Sequence, residues 1–416
     1  MRLRLGDRPQ RYHGRMLKRH YEKVIVGCCF MFIFVNIGLA STAFSVHQPY
    51  LVAIEGIGDT GGSLILSVRT LTSFVAMLVV DRYYNVLDVR LGVLIASLCT
   101  AGGFAVYSIA ASLPVFFAGA VLLGLGYGLG GMVAMTYLAN RWFSSGIGSV
   151  VGFASMGSGI ASIVMPLIVV NVIESASLSA AFLVEGAIAC AVGIVVFVLL
   201  RNRPADLNMK PYEGKAGKAR SRLGAVTPPA TTLQRVFLFV AMVCVGTFCC
   251  CGMTYMSVLA TSSGFDTVFA ALLVSIAGTA LTIAKFVVGE LFDHLGTPRA
   301  SAIMFAFAVV GFALCCCVGL GNRAIMVCGA IAVGCGLSLG SVGISVWSID
   351  FSEPANRARQ IKNYQVGYAL GGFIANTLPG LVKDLVGTYV VSYAAMIAIV
   401  SLAAFIILRL YRTNRK

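Results

Sequence analysis

Apolar runs of about twenty residues recur along this chain, and a helix needs about that length to cross ~30 Å of hydrocarbon. Inside lipid every backbone N–H and C=O has to be satisfied within its own segment, which leaves helices as the form such runs take. Twelve are legible, at 24–46, 61–81, 91–111, 114–138, 147–170, 178–200, 234–258, 266–291, 300–320, 324–349, 362–382 and 387–408. The 416 residues are 58% hydrophobic and 11% charged, outside the range of soluble globular domains. The expected fold class is all-α integral membrane, with twelve transmembrane helices.

Charge orients the spans. Of 31 Lys and Arg, 27 fall in the N-terminal tail, the 201–235 segment, the other loops on that side and the last residues, whereas only Arg323 and Lys383 fall in loops opposite. Basic residues accumulate on the cytoplasmic side. Both termini are therefore expected inside, in a plasma membrane (the inner membrane in a bacterium). The formal charge of +15 would suggest nucleic acid in a soluble protein. Here the tail from Arg2 to Lys23 reads as an anchor beside anionic lipid, so membrane lipid is an expected partner and nucleic acid is not. The first span is longer than a signal-peptide core and no evident cleavage site follows it.

The organisation expected is a basic tail (1–23), a six-helix domain (24–200), a linker (201–233), a second six-helix domain (234–408) and a short tail (409–416). The linker is basic and holds Pro204, Pro211, Pro228 and Pro229. The halves repeat. Gly124, Gly126, Gly128, Gly130 and Gly131 in span four correspond to Gly334, Gly336 and Gly340 in span ten, and Gly157 in span five to Gly367 in span eleven, 210 residues on. Glycine runs inside apolar helices read as close helix packing rather than nucleotide binding, which needs a preceding strand. Most of the thirteen cysteines also cluster inside spans. Adjacent helical residues point apart, so these read as packing residues, with no metal and no cofactor expected.

After span two stands Asp81-Arg82-Tyr-Tyr, with Arg90 following. After span eight stand Gly289, Asp293, Gly296 and Arg299, with Met77 in the first half where the glycine would be. With two six-helix halves and a charged central loop, this resembles the major facilitator superfamily. That resemblance implies two pseudo-symmetric six-helix halves around a central cavity, alternating access, and a latch role for Asp81, Arg82, Arg90, Gly289, Asp293, Gly296 and Arg299. Ala139-Asn-Arg-Trp-Phe143, then Gly152-Phe153, Gly157, Gly159 and Pro166, resemble the oxalate:formate antiporter and monocarboxylate transporter group more closely. Asn363-Tyr364 is similar to that group's entry to span eleven, and Lys285 falls where the group carries a substrate-binding Arg. There are departures. Gly371 stands where the oxalate antiporter has a second cation, Leu281 where proton-coupled members have an acid, and Ser41 and Ala43 where the oxalate antiporter has aromatic residues. These argue against oxalate itself.

A cation in mid-membrane costs about 2.5–3.5 kcal/mol or more, and its usual setting is a water-filled path or a counter-charge. Lys285 lies eight residues from Asp293 and Arg69 twelve from Asp81, depths of ~12 Å and ~18 Å at helix rise. The four-residue difference puts the two cations on one pseudo-symmetric face. One cation per half, with few acids to neutralise them, suits a small organic anion, a carboxylate, as substrate; a drug exporter for cations would place acid there. Lys285 and Arg69 are thus the expected substrate ligands, with Tyr127, Asn36, Tyr255, Trp347, Tyr368, Asn376 and Ser41 as candidates to shape the site. His47, at the outer end of span one, is expected to be solvated, with a proton-linked role as its alternative. Glu185 is expected to have a structural role in a supporting helix. With Leu281 at the coupling position, exchange of one anion for another is expected over proton symport. A membrane-embedded enzyme would need converging acids, His or nucleophiles, and His47, Glu185 and Glu290 form no spaced motif; a sensor would need a soluble output domain. The carrier is expected to act as a monomer.

The charge asymmetry makes a direct prediction. Reporters fused after Lys416 and within the 201–235 loop should both report the cytoplasmic side; an external signal at either position would overturn the orientation.

Overall fold

The computed structural model describes residues 21–145, 147–207, 209–213, 231–351 and 357–413. The basic tail, most of the linker and the side chains of Asp81 and Asp293 lie outside the described residues. Helices dominate, in the order α1 (Tyr21–Val52), α2 (Gly58–Val86), α3 (Val89–Ser108), α4 (Leu113–Leu129 continued by Met132–Trp142), α5 (Ile147–Ser175) and α6 (Leu178–Leu199). Then follow α7 (Thr232–Thr254 continued by Met256–Ser262), α8 (Thr267–Leu295), α9 (Thr297–Cys316), α10 (Arg323–Leu337 continued by Val342–Asp350), α11 (Arg357–Val386) and α12 (Val390–Thr413). All twelve expected spans are helical. Eleven are long and apolar enough to cross a membrane by composition alone. The exception is α11, which opens with Arg357, Arg359 and Lys362, ends with Lys383 and Asp384, and carries Pro379 within.

Polar caps define several ends. Thr231 and Gln234 form a reciprocal capping box at the start of α7, and Asp266 accepts from the Phe269 N–H to start α8. Because the helices alternate in direction, the turns fall on two faces. The linker face holds the start of α1, the α2–α3 turn and the linker; the far face holds the α1–α2, α5–α6, α7–α8 and α11–α12 turns. On the linker face two short strands, β1 (Phe143–Ser145) and β2 (Tyr212–Glu213), pair in parallel. Beside them the Trp142 indole N–H donates to the Arg201 carbonyl at 3.0 Å, tying the linker's start to the end of α4.

The repeat read from the sequence is also a repeat of contacts. A Cβ on Gly124 would sit 2.5 Å from the Arg69 carbonyl of α2, and one on Gly334 would sit 2.3 Å from the Ala277 carbonyl of α8. The same pair of helices, α4 on α2 and α10 on α8, is brought to backbone contact in each half. Small residues serve this way because lipid supplies no hydrophobic drive for helices to associate, leaving close packing to do it. α1 and α7 share an irregularity as well. The winding of α1 widens to a π-helix over Phe34–Thr42 and tightens to a 3₁₀ turn over Phe44–His47. α7 breaks at Tyr255, 210 residues on from Ser45.

The two halves meet along α2 against α11 and α5 against α8. Among the described residues, the hydrogen bonds that cross between them all lie in the far-face portion. Ser67 and Thr377 hydroxyls are 2.8 Å apart, and the Asn376 amide donates to Thr70 at 2.7 Å. The Tyr255 hydroxyl donates to the Asn376 carbonyl at 2.8 Å, so the Ser63 hydroxyl, 2.7 Å away, donates to it. Tyr389 donates to Asp59 at 2.6 Å, the Thr60 N–H and hydroxyl to Asp384, and Thr267 to Glu174. The halves are closed on each other at the far face.

Gly124→Ala adds only the methyl that meets the Arg69 carbonyl. It should destabilise the purified protein by about 1–3 kcal/mol, as overpacking does, and lower its Tm. Gly289→Ala adds its methyl to open space and should leave the Tm within a degree or two. Equal effects of the two would sink this account of the glycines.

Candidate functional site

Arg69 sits in the middle of α2 with only 5% of its surface exposed. Its Nη1 donates to the Ala40 carbonyl, 2.7 Å away in the π-helical stretch of α1, and its guanidinium lies 5.5 Å from the centre of the Phe44 ring. Irregular winding of this kind recurs at functional sites because it presents carbonyls that a regular helix would turn along its axis. Tyr107 of α3 and Tyr127 of α4, in the same half, and Cys250 and Tyr255 of α7, across the interface, lie within electrostatic reach of the guanidinium.

Lys285 is half-buried on α8, within electrostatic reach of Cys249 on α7. Tyr368 of α11 joins the two cations' surroundings: Cys250, Cys249 and Tyr127 are its neighbours. Arg69 and Lys285 therefore border one lining built from α4, α7 and α11. Neither cation has an acidic partner among the described residues.

Of the other candidates, Tyr127 and Tyr368 belong to this lining, and Tyr255, within reach of Arg69, has its hydroxyl in the far-face closure. Asn376 belongs to the far-face closure above it. Asn36 and Trp347 are turned into helix packing. The Asn36 amide nitrogen is 3.3 Å from both Ser97 Oγ and the Gly130 carbonyl, and its oxygen accepts from Thr100 at 2.7 Å. Trp347 is buried, donates its indole N–H to Ser301 at 3.0 Å, and stacks on Phe305 with ring centres 5.8 Å apart. Ser41 is half-buried on the irregular part of α1.

The switch residues lie on the linker face. Arg82 and Arg299 are exposed. Arg90 donates through Nε to the Phe197 carbonyl and covers the Phe197 ring at 4.1 Å, binding α3 to α6 within one half. Gly289 has open space at its Cβ position, and Gly296 takes a φ of 78° at the α8–α9 turn, a conformation that favours glycine.

His47 departs from expectation. A span ending at residue 46 would leave it in solvent, but α1 stays helical to Val52 and carries His47 inside. It is 0% exposed, stacked between Phe44 at 4.9 Å and Phe182 at 4.8 Å. Glu185 of α6, expected to be purely supporting, points at it. His47 Nε2 and Glu185 Oε2 are 2.9 Å apart, the carboxylate lying off the N–H axis, and neither Nε2 nor either carboxylate oxygen has a hydrogen-bond partner.

Sequence reasoning also missed the hydroxyls of the far-face closure. Their signal was present: Ser63, Ser67 and Thr70 recur at helical spacing and so share one face of α2. All thirteen cysteines are free of disulfides; the Cys249 thiol donates to the Leu337 carbonyl of α10, whereas Cys250 lies beside Arg69 and Tyr368.

A family model described as Major Facilitator Superfamily matches residues 26–376. Solved structures of similar fold include the nucleoside transporter NupG, at 13% identity and a TM-score of 0.70, covering 94% of this chain and 100% of that one. A POT family transporter in complex with a thioalcohol-conjugated peptide matches at 15% identity and 0.71, covering 94% and 96%. A D-xylose–proton symporter matches at 13% and 0.68, covering 93% and 97%. Identities this low speak to fold alone. No curated protein matches the chain. The family match runs from the first helix into the eleventh, over two copies of one six-helix unit whose halves touch along α2–α11 and α5–α8, and this chain belongs to the major facilitator superfamily.

Proposed function

We propose that this transporter carries small organic anions, carboxylates, by alternating access, exchanging one anion for another as a monomer in the plasma membrane with both termini cytoplasmic. The observation that carries the reading is the pair of cations, Arg69 from one half and Lys285 from the other, bordering a shared lining without an acidic partner. A buried cation with no counter-charge is costly, and a carboxylate arriving between the halves relieves both at once. Arg69 presents a planar fork, of which Nη1 is held by Ala40; Lys285 presents a compact point charge. Tyr127 and Tyr368 supply hydroxyls, and their rings limit the width of the site.

Exchange follows from the same charges. A carrier holding an anion is neutralised and reorients; an empty one has unpaired positive charge in the membrane and reorients slowly. The far-face closure fits a state open toward the linker face, which the basic loops assign to the cytoplasm. In this reading Asp81, Arg82, Arg90, Gly289, Asp293, Gly296 and Arg299 latch the halves when the far face opens.

Proteoliposomes loaded with unlabelled carboxylate (formate, lactate, an aromatic acid) should take up the same labelled anion much faster than empty vesicles. Lys285→Gln should reduce this counterflow by tenfold or more with expression intact, and Lys285→Arg should keep part of it. Arg69→Gln should harm a dicarboxylate more than a monocarboxylate. Full counterflow by the Lys285→Gln variant would remove that residue from the site.

A further inference from the structure

We propose that His47 and Glu185 form a proton-binding site whose loading is coupled to anion binding at Arg69, so that net anion movement through this carrier is proton-linked. The inference rests on the anion reading above and extends it from exchange to net transport.

The heavy atoms leave a place for a proton: His47 and Glu185 are close but not aligned as a hydrogen bond, and neither has another partner for these atoms. His47 Nδ1 is 3.3 Å from the Phe44 carbonyl and Nε2 is 2.9 Å from Glu185 Oε2. Both ring nitrogens thus face oxygens, and a neutral imidazole has a hydrogen for only one of them. The second contact needs one further proton, on the ring or on the carboxyl. With it the pair is neutral overall; without it the pair carries one negative charge. Both side chains are 0% exposed, and the carboxylate has no other partner to support that charge. A group able to do so is one ring away. Phe44 stacks on His47 at 4.9 Å, and the Arg69 guanidinium lies 5.5 Å from the same ring.

The charges then alternate. In the empty, proton-free carrier, the Glu185 carboxylate, two rings away, offsets part of the Arg69 charge. Proton loading cancels that offset and leaves Arg69 to attract an anion; anion binding restores balance. The empty and doubly loaded forms are balanced in this half, whereas the singly loaded forms are not. That favours proton and anion crossing together and lowers, without removing, the obstacle to return of the empty site, since Lys285 keeps its charge in every form. Those two legs place the His47 ring at most about 10 Å from the guanidinium, and one unit charge at that distance in an effective dielectric near 20 changes binding by about tenfold. By reciprocity, anion binding favours proton uptake by the same factor.

The site also has a route to exposure. The Phe44–His47 turn packs against the Met256–Ser262 piece of α7 and against α8, both in the other half. Parting of the far face uncovers it. Around it the Ser45 hydroxyl, both polar atoms of the Gln48 side chain and the Tyr107 hydroxyl are buried without hydrogen-bond partners, unusual in a closed core and suited to a segment that meets water in another state. The other ionisable groups on the surrounding helices are accounted for. Asp59 is bonded by Tyr389 and Glu174 by Thr267, Tyr255 is held by Ser63 and Asn376, and Tyr107 and Lys285 border the anion site.

The test uses the full chain in proteoliposomes, with the carboxylate that gives wild-type counterflow as probe. An inward proton gradient should drive its accumulation into empty vesicles. Glu185→Gln should lose at least tenfold of that accumulation while retaining counterflow at equal pH. In detergent, wild-type protein should take up protons from weak buffer when the probe binds, and Glu185→Gln should not, while Glu185→Asp should restore uptake. Gradient-driven accumulation retained by Glu185→Gln overturns the proposal, as does wild-type counterflow with no response to the gradient. Loss of counterflow together with accumulation in a monodisperse Glu185→Gln protein would mark the pair as structural and also overturn it. Absence of wild-type counterflow with every carboxylate is the distinct result that defeats the anion reading, and this inference with it.

Discussion

Backbone-to-backbone contact between helices is what the rest of this molecule depends on. In lipid an apolar side chain gains nothing by leaving its surroundings for another apolar side chain, so helices hold together where their surfaces meet without gaps. Gly124 and Gly334 provide such contacts at equivalent places, and the first of them touches the carbonyl of Arg69 itself. The packing that holds α2 in place therefore also fixes the depth and direction of the cation it carries. A side chain at Gly124 would displace the functional group and the fold by the same movement.

The two faces are built on different chemistry. The far-face closure is made largely from hydroxyls and amides: Ser63, Ser67, Thr70, Tyr255, Asn376 and Thr377. Each such bond contributes about 1 kcal/mol net, and each partner is satisfied equally well by water. A closure of this kind opens without exposing an unpaired charge. The linker face concentrates charge instead, with Arg82 and Arg299 exposed there. Between the two, Arg69 and Lys285 occupy a stretch where the described side chains offer aromatic rings, hydroxyls and thiols but no carboxylate.

Much of this was legible in the sequence because the bilayer makes the sequence explicit. Span length, basic asymmetry and a 210-residue repeat gave the twelve helices and the pairing of α4 with α2 and of α10 with α8. Counting residues back from the repeat anchors makes Arg69 and Lys285 candidates for one site. What stayed hidden depended on the rotation of a side chain about its helix. Asn36 and Trp347 read as cavity candidates because a polar group in an apolar helix needs a partner wherever it faces; their partners turned out to be Ser97, Thr100 and Ser301 within the same half. The contact of His47 with Glu185 joins residues 138 apart and depends on irregular winding that no hydrophobic period announces. Drawing the first span to residue 46 put His47 in water, six residues short of where the helix ends.

The widened turns of α1 have a consequence for how such a carrier arises. A π-helical stretch is what one extra residue produces in an α-helix, and each residue added or removed turns everything beyond it by about 100°. Phe34–Thr42 lies before His47 in the chain and Glu185 lies on a separate helix. Removing a single codon between that stretch and His47, where no extra residue is there to be absorbed, would leave a span of adequate length and an intact hydrophobic surface, yet bring Gln48 to the place His47 now holds. Carriers of this architecture thus stand one insertion or deletion apart in whether their first helix presents an ionisable ring or a neutral amide to the sixth, a much shorter evolutionary step than the difference between two helices suggests.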